Sequence, residues 1–338
     1  MKVYHADLNE AQAEPALAAL LAPGAGVTPF DRIDWLRLMA AECLAPVRTL
    51  IAVAHDGDRM AALPLVLHAQ GYGALANWYS FIARPRGTDP ALLTAIIRSL
   101  APVAALSFAP LPEREAVALR DAARAAGWIA QLRHADHNHV LRTAGSDFAT
   151  WWAKRPGPLR ETVRRKSRKG AVTIRIATAF DEADWDAYTA IYAQSWKPAE
   201  TSPMFLRRFA QAEGKAGRLR LGLACVDGVP VAAQFWTVED GTAFIHKLAH
   251  IPAAAAHSPG TLLSHAMFAM AFDQDRVGLI DFGTGDDGYK RDWMDEIRPR
   301  YRLDAVYPGN PLRWPAAAKL LAKAMLRPGE LAHPETHG

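Results

Sequence analysis

The sequence predicts an α/β fold built from two tandem units, each a mixed, largely antiparallel sheet with flanking helices. Three observations carry that expectation. The same order of hydrophobic runs occurs twice along the chain, each occurrence includes a β-hairpin signal, and each ends on a helical stretch followed by a short buried run.

In the first half, Arg48–Ala54 and Met60–Leu67 are β-rich runs joined across His55-Asp56-Gly57-Asp58. Asp-Gly supplies the positive φ that a tight hairpin turn needs. The aromatic segment Asn77–Phe81, a helical stretch over Pro90–Leu100 and the apolar run Val103–Phe108 follow. In the second half, Leu219–Val226 and Val231–Val238 flank the turn at Asp227-Gly228, and Thr242–Ala249 follows a second turn at Asp240-Gly241. A helix from Ser258 to Phe272 and a buried strand over Val277–Phe282 complete the repeat. The expected organisation is a first unit over 1–145, a second over 146–310, and a C-terminal amphipathic helix and tail over 311–338.

A length of 338 residues suits two domains. Half the residues are apolar and 22% are charged, the balance of a soluble globular protein rather than a disordered one. The net charge of +4 is too small to argue for a nucleic-acid partner. Two cysteines, Cys43 and Cys225, exclude a disulfide framework and a cysteine zinc site, and they fit a reducing, cytoplasmic compartment. The long uncharged stretches 60–83 and 251–272 are broken by proline, glycine and histidine, so neither reads as a membrane span. Met1–Glu10 has acidic groups and no apolar h-region, so no secretory signal is expected.

Between the two repeats, eight of the residues from Lys154 to Lys169 are basic and one, Glu161, is acidic. Pro156 and Pro158 open the segment, and Leu159–Lys169 can then form a basic helix. It reads as a solvated face, as a groove for phosphate or another anionic substrate, or as a contact with an anionic membrane surface. Few aromatics sit among the charges to stack on bases, which disfavours nucleic acid. The C-terminal Leu312–Arg327 has an apolar stripe (Leu320, Leu321, Ala324, Met325) between basic residues. It reads as a helix packed on its domain, or as one lying on the inner membrane.

Ser258-Pro259-Gly260-Thr261 carries helix-start chemistry: Ser258 can cap and Pro259 suits the first helical position. The open N–H groups and positive dipole end of such a terminus favour phosphate. Further on, Gly283, Gly285 and Gly288 match a dinucleotide fingerprint only formally. Asp286 and Asp287 would set carboxylates beside a pyrophosphate, and Pro299 leaves room for only a short helix. His134, His137 and His139 have strand-like spacing, but only Asp136 is at hand to complete a set, so no metal site is assigned.

A strand ending in Asp281-Phe282-Gly283-Thr284-Gly285-Asp286, then Tyr289-Lys290 and Trp293, resembles the C-terminal signature of the FemAB-like acyltransferases of the GNAT superfamily, the group that includes the cellulose-biosynthesis-type acetyltransferase domain. The Ser258-Pro259-Gly260 helix start, the basic segment before it, and Leu63-Pro64-Leu65 with Asn77-Trp78-Tyr79 extend the likeness. It implies two tandem GNAT-like units with a catalytic second unit. In the first unit, Ala109-Pro110-Leu111-Pro112 replaces the aspartate and Tyr-Lys cluster, so that unit is expected to be degenerate and to shape the acceptor cleft. The family's acyl-CoA loop would fall on His257, Gly260 and Leu262, of which only the glycine is kept.

The resemblance further implies N-acyl transfer from acyl-CoA, or from an acyl-carrier-protein thioester, to an amine. The strand Ile245–Ala249, including Leu248 and Ala249, would offer N–H groups to the acyl carbonyl. His257 to Leu262, with Ser258, Pro259, Gly260 and Thr261, would hold the diphosphate. Tyr289 would protonate the leaving thiolate. His246 and Asp286 are candidate bases, packing being the other reading of His246, and Lys290 would pair with Asp281 or Asp286 or bind phosphate. The expected acceptor is an envelope amine, a long-chain sphingoid-type lipid amine ahead of an amino sugar, reached from the cytoplasm with peripheral inner-membrane contact. A tRNA-dependent aminoacyl transferase and a non-catalytic binding protein that keeps the fold are the alternatives.

Overall fold

The computed structural model describes residues 1–326 except 25, 70, 104 and 144. The tail expected after residue 326 and the side chains of Leu321, Ala324 and Met325 lie outside the described residues. The chain divides into two units, Met1–His137 with the segment from Arg298 onward, and Asn138–Ile297.

The first unit runs β1 (Lys2–Ala6), α1 (Leu8–Ala13), α2 (Pro15–Leu20), α3 (Ile33–Met39), β2 (Arg48–Asp56), β3 (Arg59–His68), β4 (Gly71–Ala74), α4 (Pro90–Ser99), β5 (Ala105–Leu111), α5 (Glu113–Ala125) and the start of β6 (Ile129–Arg142). The second holds the end of β6, then α6 (Phe148–Ala153), α7 (Gly157–Arg168), β7 (Val172–Ala177), α8 (Glu182–Ala193), α9 (Pro203–Lys215), β8 (Leu219–Val226), β9 (Val229–Glu239), β10 (Thr242–His250), α10 (Pro259–Asp273) and β11 (Leu279–Thr284). The chain returns to the first unit along β12 (Glu296–Val306), and α11 (Trp314–Leu326) follows.

The repeat read from the sequence is a repeat of topology. β1 to β4 pair antiparallel in order, and β5 then pairs parallel with β4 after the crossover through α4. β7 to β10 pair antiparallel in order, and β11 pairs parallel with β10 after α10. The expected boundaries at 145/146 and 310/311 differ from this division for a reason of pairing. β12 lies antiparallel on β5 from Tyr301↔Leu111 to Val306↔Ala105, whereas the end of β6 pairs with β11 from Leu279↔Arg142 to Thr284↔Asn138.

Strand alternation sends consecutive side chains to opposite faces, and the second unit fills both. On β9, Phe235 meets Trp185 of α8 and Phe209 of α9, while its neighbour Trp236 meets Phe268 of α10. Helix α10 buries Leu263, Met267, Phe268, Ala271 and Phe272, and α7 packs beside it with Val163 buried. In the first unit, Leu92, Leu93, Ile96 and Ile97 of α4 form the matching core with α5 and the sheet. Ala317 and Leu320 of α11 pack on Val306 and Ile129. Among the described residues no helix is long and apolar enough to cross a membrane.

Phe268 ties these layers together, stacking on Trp151 at 5.1 Å and lying 4.9 Å from Trp293. Phe268→Ala is expected to cost about 3–5 kcal/mol of stability in urea unfolding. A loss below about 1 kcal/mol would show that α10 is held by other contacts.

Candidate active site

The parallel pairing of β10 with β11 covers only Thr242↔Leu279, Ala243↔Ile280 and Phe244↔Asp281. Two local causes part the strands after that. On β10, a bulge between Ile245 and Lys247 shifts its register on β9 and turns the strand. On β11, the buried Asp281 carboxylate accepts from the Gly283 N–H of its own strand at 2.8 Å and from Asn138 Nδ2 of β6 at 2.7 Å, and the second bond fastens β11 to β6. Beyond Phe244, among the described residues, no ladder pair joins the two strands, and the β10 edge from Ile245 to Ala249 faces the gap.

The helix start at the end of this gap departs from the expected cap. Ser258 lies in the left-handed region (φ 53°, ψ 45°) and its side chain makes no cap bond. Pro259 occupies the first helical position, and the Leu262 N–H makes the first intrahelical bond, to the Ser258 carbonyl. The N–H groups of Gly260 and Thr261 precede that bond and so point out of the helix end. Buried Gln234 secures this turn: it accepts from Trp236 Nε1 at 2.9 Å and donates to Ser264 Oγ at 2.7 Å. At the matching helix of the first unit, the Asp89 carboxylate caps α4, accepting from the Ala91 and Leu92 N–H groups at 3.0 and 3.1 Å. A negative side chain thus stands at the start of α4, and none caps α10.

A cleft of about 390 Å³ opens here. Of the residues singled out in the sequence, it brings together Leu248, Ala249, Ser258, Pro259, Gly260, Thr261 and Tyr289. Leu159 of α7, Trp196, His250, Asp292 and Trp293 are among the other residues of the walls, with the Trp196 and His250 rings 4.5 Å apart. A Cβ on Gly260 would lie 3.4 Å from His250 Nδ1, in ordinary contact with that ring. Tyr289 stands on the turn Gly288–Asp292, its ring 5.8 Å from Phe282. The residue is 38% exposed, and partial desolvation with the nearby Asp287 charge raises its phenol pKa.

The other expected residues lie outside the cleft lining. His246 turns to the α9 side of the sheet, where Nε2 bonds Thr237 Oγ1 at 2.8 Å and the ring stacks on Phe235 at 5.1 Å. Asp286 pairs with Arg291 at 2.9 Å and touches His139 Nε2 at 3.2 Å. Lys290 is buried, donates to the carbonyls of Thr284 and Gly285 at 2.5 and 3.1 Å and lies 3.9 Å from the Asp287 carboxylate, holding the turn after β11. Leu262 is buried within α10, and His257 ends the short 3-10 helix before it. Within the basic segment, Arg155 pairs with Asp295 and covers Trp151, Arg164 pairs with Glu161, and Lys166 donates to the Ala256 carbonyl just ahead of the helix start. Arg165, Arg168 and Lys169 are exposed. The His134 and His137 rings lie 4.4 Å apart, tilted at 50° to each other.

Gln234, Trp196 and His250 are the site residues that the sequence reading missed. Gln234 leaves a trace, a single amide inside the apolar run Val231–Trp236, whereas Trp196 leaves none.

Burial lowers the pKa of His139, His250 and His265 below the usual 6.5, and at His139 it outweighs the contact with Asp286. The unfolded chain therefore binds more protons than the folded one in the window just below 6.5. Their stabilisation is complete above that value and is lost as the pH falls through it toward the folded pKa values. The urea midpoint is expected to drop between pH 7.5 and 5.5, and His265→Phe, whose ring would sit between Phe148 and Trp152, is expected to shrink the drop. An undiminished drop in that variant would contradict the assignment.

The acetyltransferase (GNAT) domain family matches residues 153–291. No curated protein matches the chain. Among solved structures, FemX is similar over 94% of this chain and 100% of its own, at 9% identity and a TM-score of 0.64. A C-terminal domain named for lysylphosphatidylglycerol synthetase, from Agrobacterium fabrum, is similar over 97% and 100% at 14% identity and a TM-score of 0.57. A tandem GNAT protein from the clavulanic acid biosynthesis pathway is similar over 90% and 98% at 14% identity and 0.53. The duplicated topology, the parted strands and these likenesses converge: the chain has a tandem GNAT fold like that of FemX, and the segment that matches the acetyltransferase (GNAT) domain family lies in the second unit.

Proposed function

We propose that the second unit transfers an acyl group from a thioester, acyl-CoA or an acyl carrier protein's phosphopantetheine thioester, to an amine. One observation carries this reading: a parted strand edge, an uncapped helix start and a protonated tyrosine share one cleft. The Gly260 and Thr261 N–H groups suit a diphosphate, and the exposed cations of α7 add attraction for it. The contrast with α4, whose start carries Asp89, supports use of the second unit rather than the first.

The chemistry follows from what these groups offer. N–H groups of the β10 edge stabilise the carbonyl oxygen as the amine attacks and negative charge builds on it. The C–N bond forms, the C–S bond breaks, and Tyr289 gives its proton to the departing sulfur. A free thiol has a pKa near 8.5, so this help lowers the barrier without being obligatory. The phenolate left on Tyr289 then takes the proton shed by nitrogen, so that amide and thiol are the products and the tyrosine is restored. On this reading Asp286, tied to Arg291, steadies the turn that carries Tyr289, and His246 steadies the bulge; neither is required as the base.

For the acceptor class we favour an amine of the envelope, a lipid-borne amine ahead of an amino sugar, narrowed below to an amine that also carries an acid. Two observations support it: the likeness to a domain named for lysylphosphatidylglycerol synthetase, and exposed Arg165 and Arg168 of α7 with Lys169 just after it, which suit peripheral contact with an anionic leaflet.

Incubation with labelled acyl-CoA and an amine panel, with and without RNase, tests the reading by mass spectrometry of the product. Amide formation that resists RNase is expected, and Tyr289→Phe should lower kcat by about 10²–10⁴ with little change in KM for the thioester. Activity that requires charged tRNA, or a Tyr289→Phe enzyme at full rate, would overturn it. Equal rates with small soluble amines would remove the lipid preference alone.

A further inference from the structure

A second cavity, of about 240 Å³, lies on the α8 and α9 side of the same unit. Trp185, Tyr188 and Tyr192 wall it, three aromatic residues one helical turn apart on α8, and Lys197 and Glu200 from the loop before α9 close it. Glu200 is paired with Lys247 of β10 at 2.9 Å, and Lys247 Nζ lies over the Tyr192 ring at 5.4 Å. Both side chains of that pair are largely buried, at 12% and 9% exposure. Placing charge there is costly unless the site uses it.

Two separate stretches of chain join this cavity to the thioester cleft. In the loop, Trp196 lines the cleft and Lys197 the cavity. On β10, Lys247 reaches the cavity's Glu200 and Tyr192, and Leu248 lines the cleft. Consecutive Cα atoms are about 3.8 Å apart. The two spaces are therefore separated by about one residue, at the bulge where the strands part.

We infer that this cavity receives the acceptor, and that the acceptor is an amine with an apolar body and an acid group a few bonds from the nitrogen. The inference rests on the thioester reading of the neighbouring cleft. Its charges run cation, anion, cation through Lys197, Glu200 and Lys247, which leaves one positive charge in excess. A simple ammonium would add to that excess. An amino acid, or the amine of a phospholipid head group, carries an acid that Lys197 can meet while Glu200 faces the nitrogen. Once the amine is neutral and able to attack, such a ligand bears the single negative charge that balances the site. The aromatic walls take the apolar body.

Calorimetric titration of the full chain separates the outcomes. The probes are L-phenylalanine, phenethylamine (no acid), 3-phenylpropanoate (no amine) and dihexanoyl phosphatidylethanolamine. Either L-phenylalanine or the phospholipid is expected to bind at least about tenfold more tightly than both truncated compounds, and whichever binds names the source. Lys197→Met should erase the advantage over phenethylamine, and Glu200→Gln the advantage over 3-phenylpropanoate. Should Glu200→Gln fail to fold, Ala199→Trp fills the cavity with the ion pair intact and should abolish binding. Equal binding of phenethylamine and L-phenylalanine, or binding of none of the probes by a chain that still binds CoA, overturns the inference and leaves the thioester reading standing. Loss of CoA binding with the phenylalanine advantage intact supports the cavity assignment and overturns the thioester reading.

Discussion

The parting of β10 from β11 after Phe244 is the constraint on which the second unit's chemistry depends. Backbone N–H and C=O groups within a fold are satisfied by some partner, so a parallel pair that stops at Phe244↔Asp281 leaves an edge that must be met by something other than a strand. The parting is fixed from both sides. The bulge at His246 turns β10, and Asn138 of β6, donating to the Asp281 carboxylate and the Gly283 carbonyl, holds β11 on β6. Neither strand can close the gap without breaking buried hydrogen bonds, which makes the gap a permanent part of the fold.

The duplication sharpens the point, because the same path through space ends in opposite chemistry. Both units run four antiparallel strands, a helix and a parallel strand. In the first, Asp89 satisfies the helix start with a carboxylate and a partner in Arg59. In the second, a left-handed Ser258 and Pro259 begin the helix without a side-chain cap. An anion is repelled at one start and favoured at the other. The basic helix α7 strengthens that asymmetry by packing beside α10, with Lys166 held at the Ala256 carbonyl.

Much of this was legible because it is locally encoded. The Asp-Gly turns, the Ser-Pro-Gly helix start and the alternating apolar runs each report the conformation of a few neighbouring residues. What stayed hidden depends on long-range pairing. Nothing near residue 300 announces that β12 lies on β5, so the unit boundaries shifted. Lys290 holds the carbonyls of Thr284 and Gly285 as well as pairing with Asp287, and backbone partners carry no sequence signature. His246 turned to the opposite face because of a bulge that no residue type marks. The cavity walled by Trp185, Tyr188 and Tyr192 likewise depends on long-range pairing, since Lys247, far along the chain, meets Glu200 there.

Amide hydrogen exchange with and without a non-hydrolysable acyl-CoA analogue tests the central claim most directly. The account predicts slowed exchange at the N–H groups of 245–249 and of Gly260 and Thr261, with no change at Ala91 and Leu92. Protection at the start of α4, or an unchanged β10 edge in the presence of bound analogue, would contradict it.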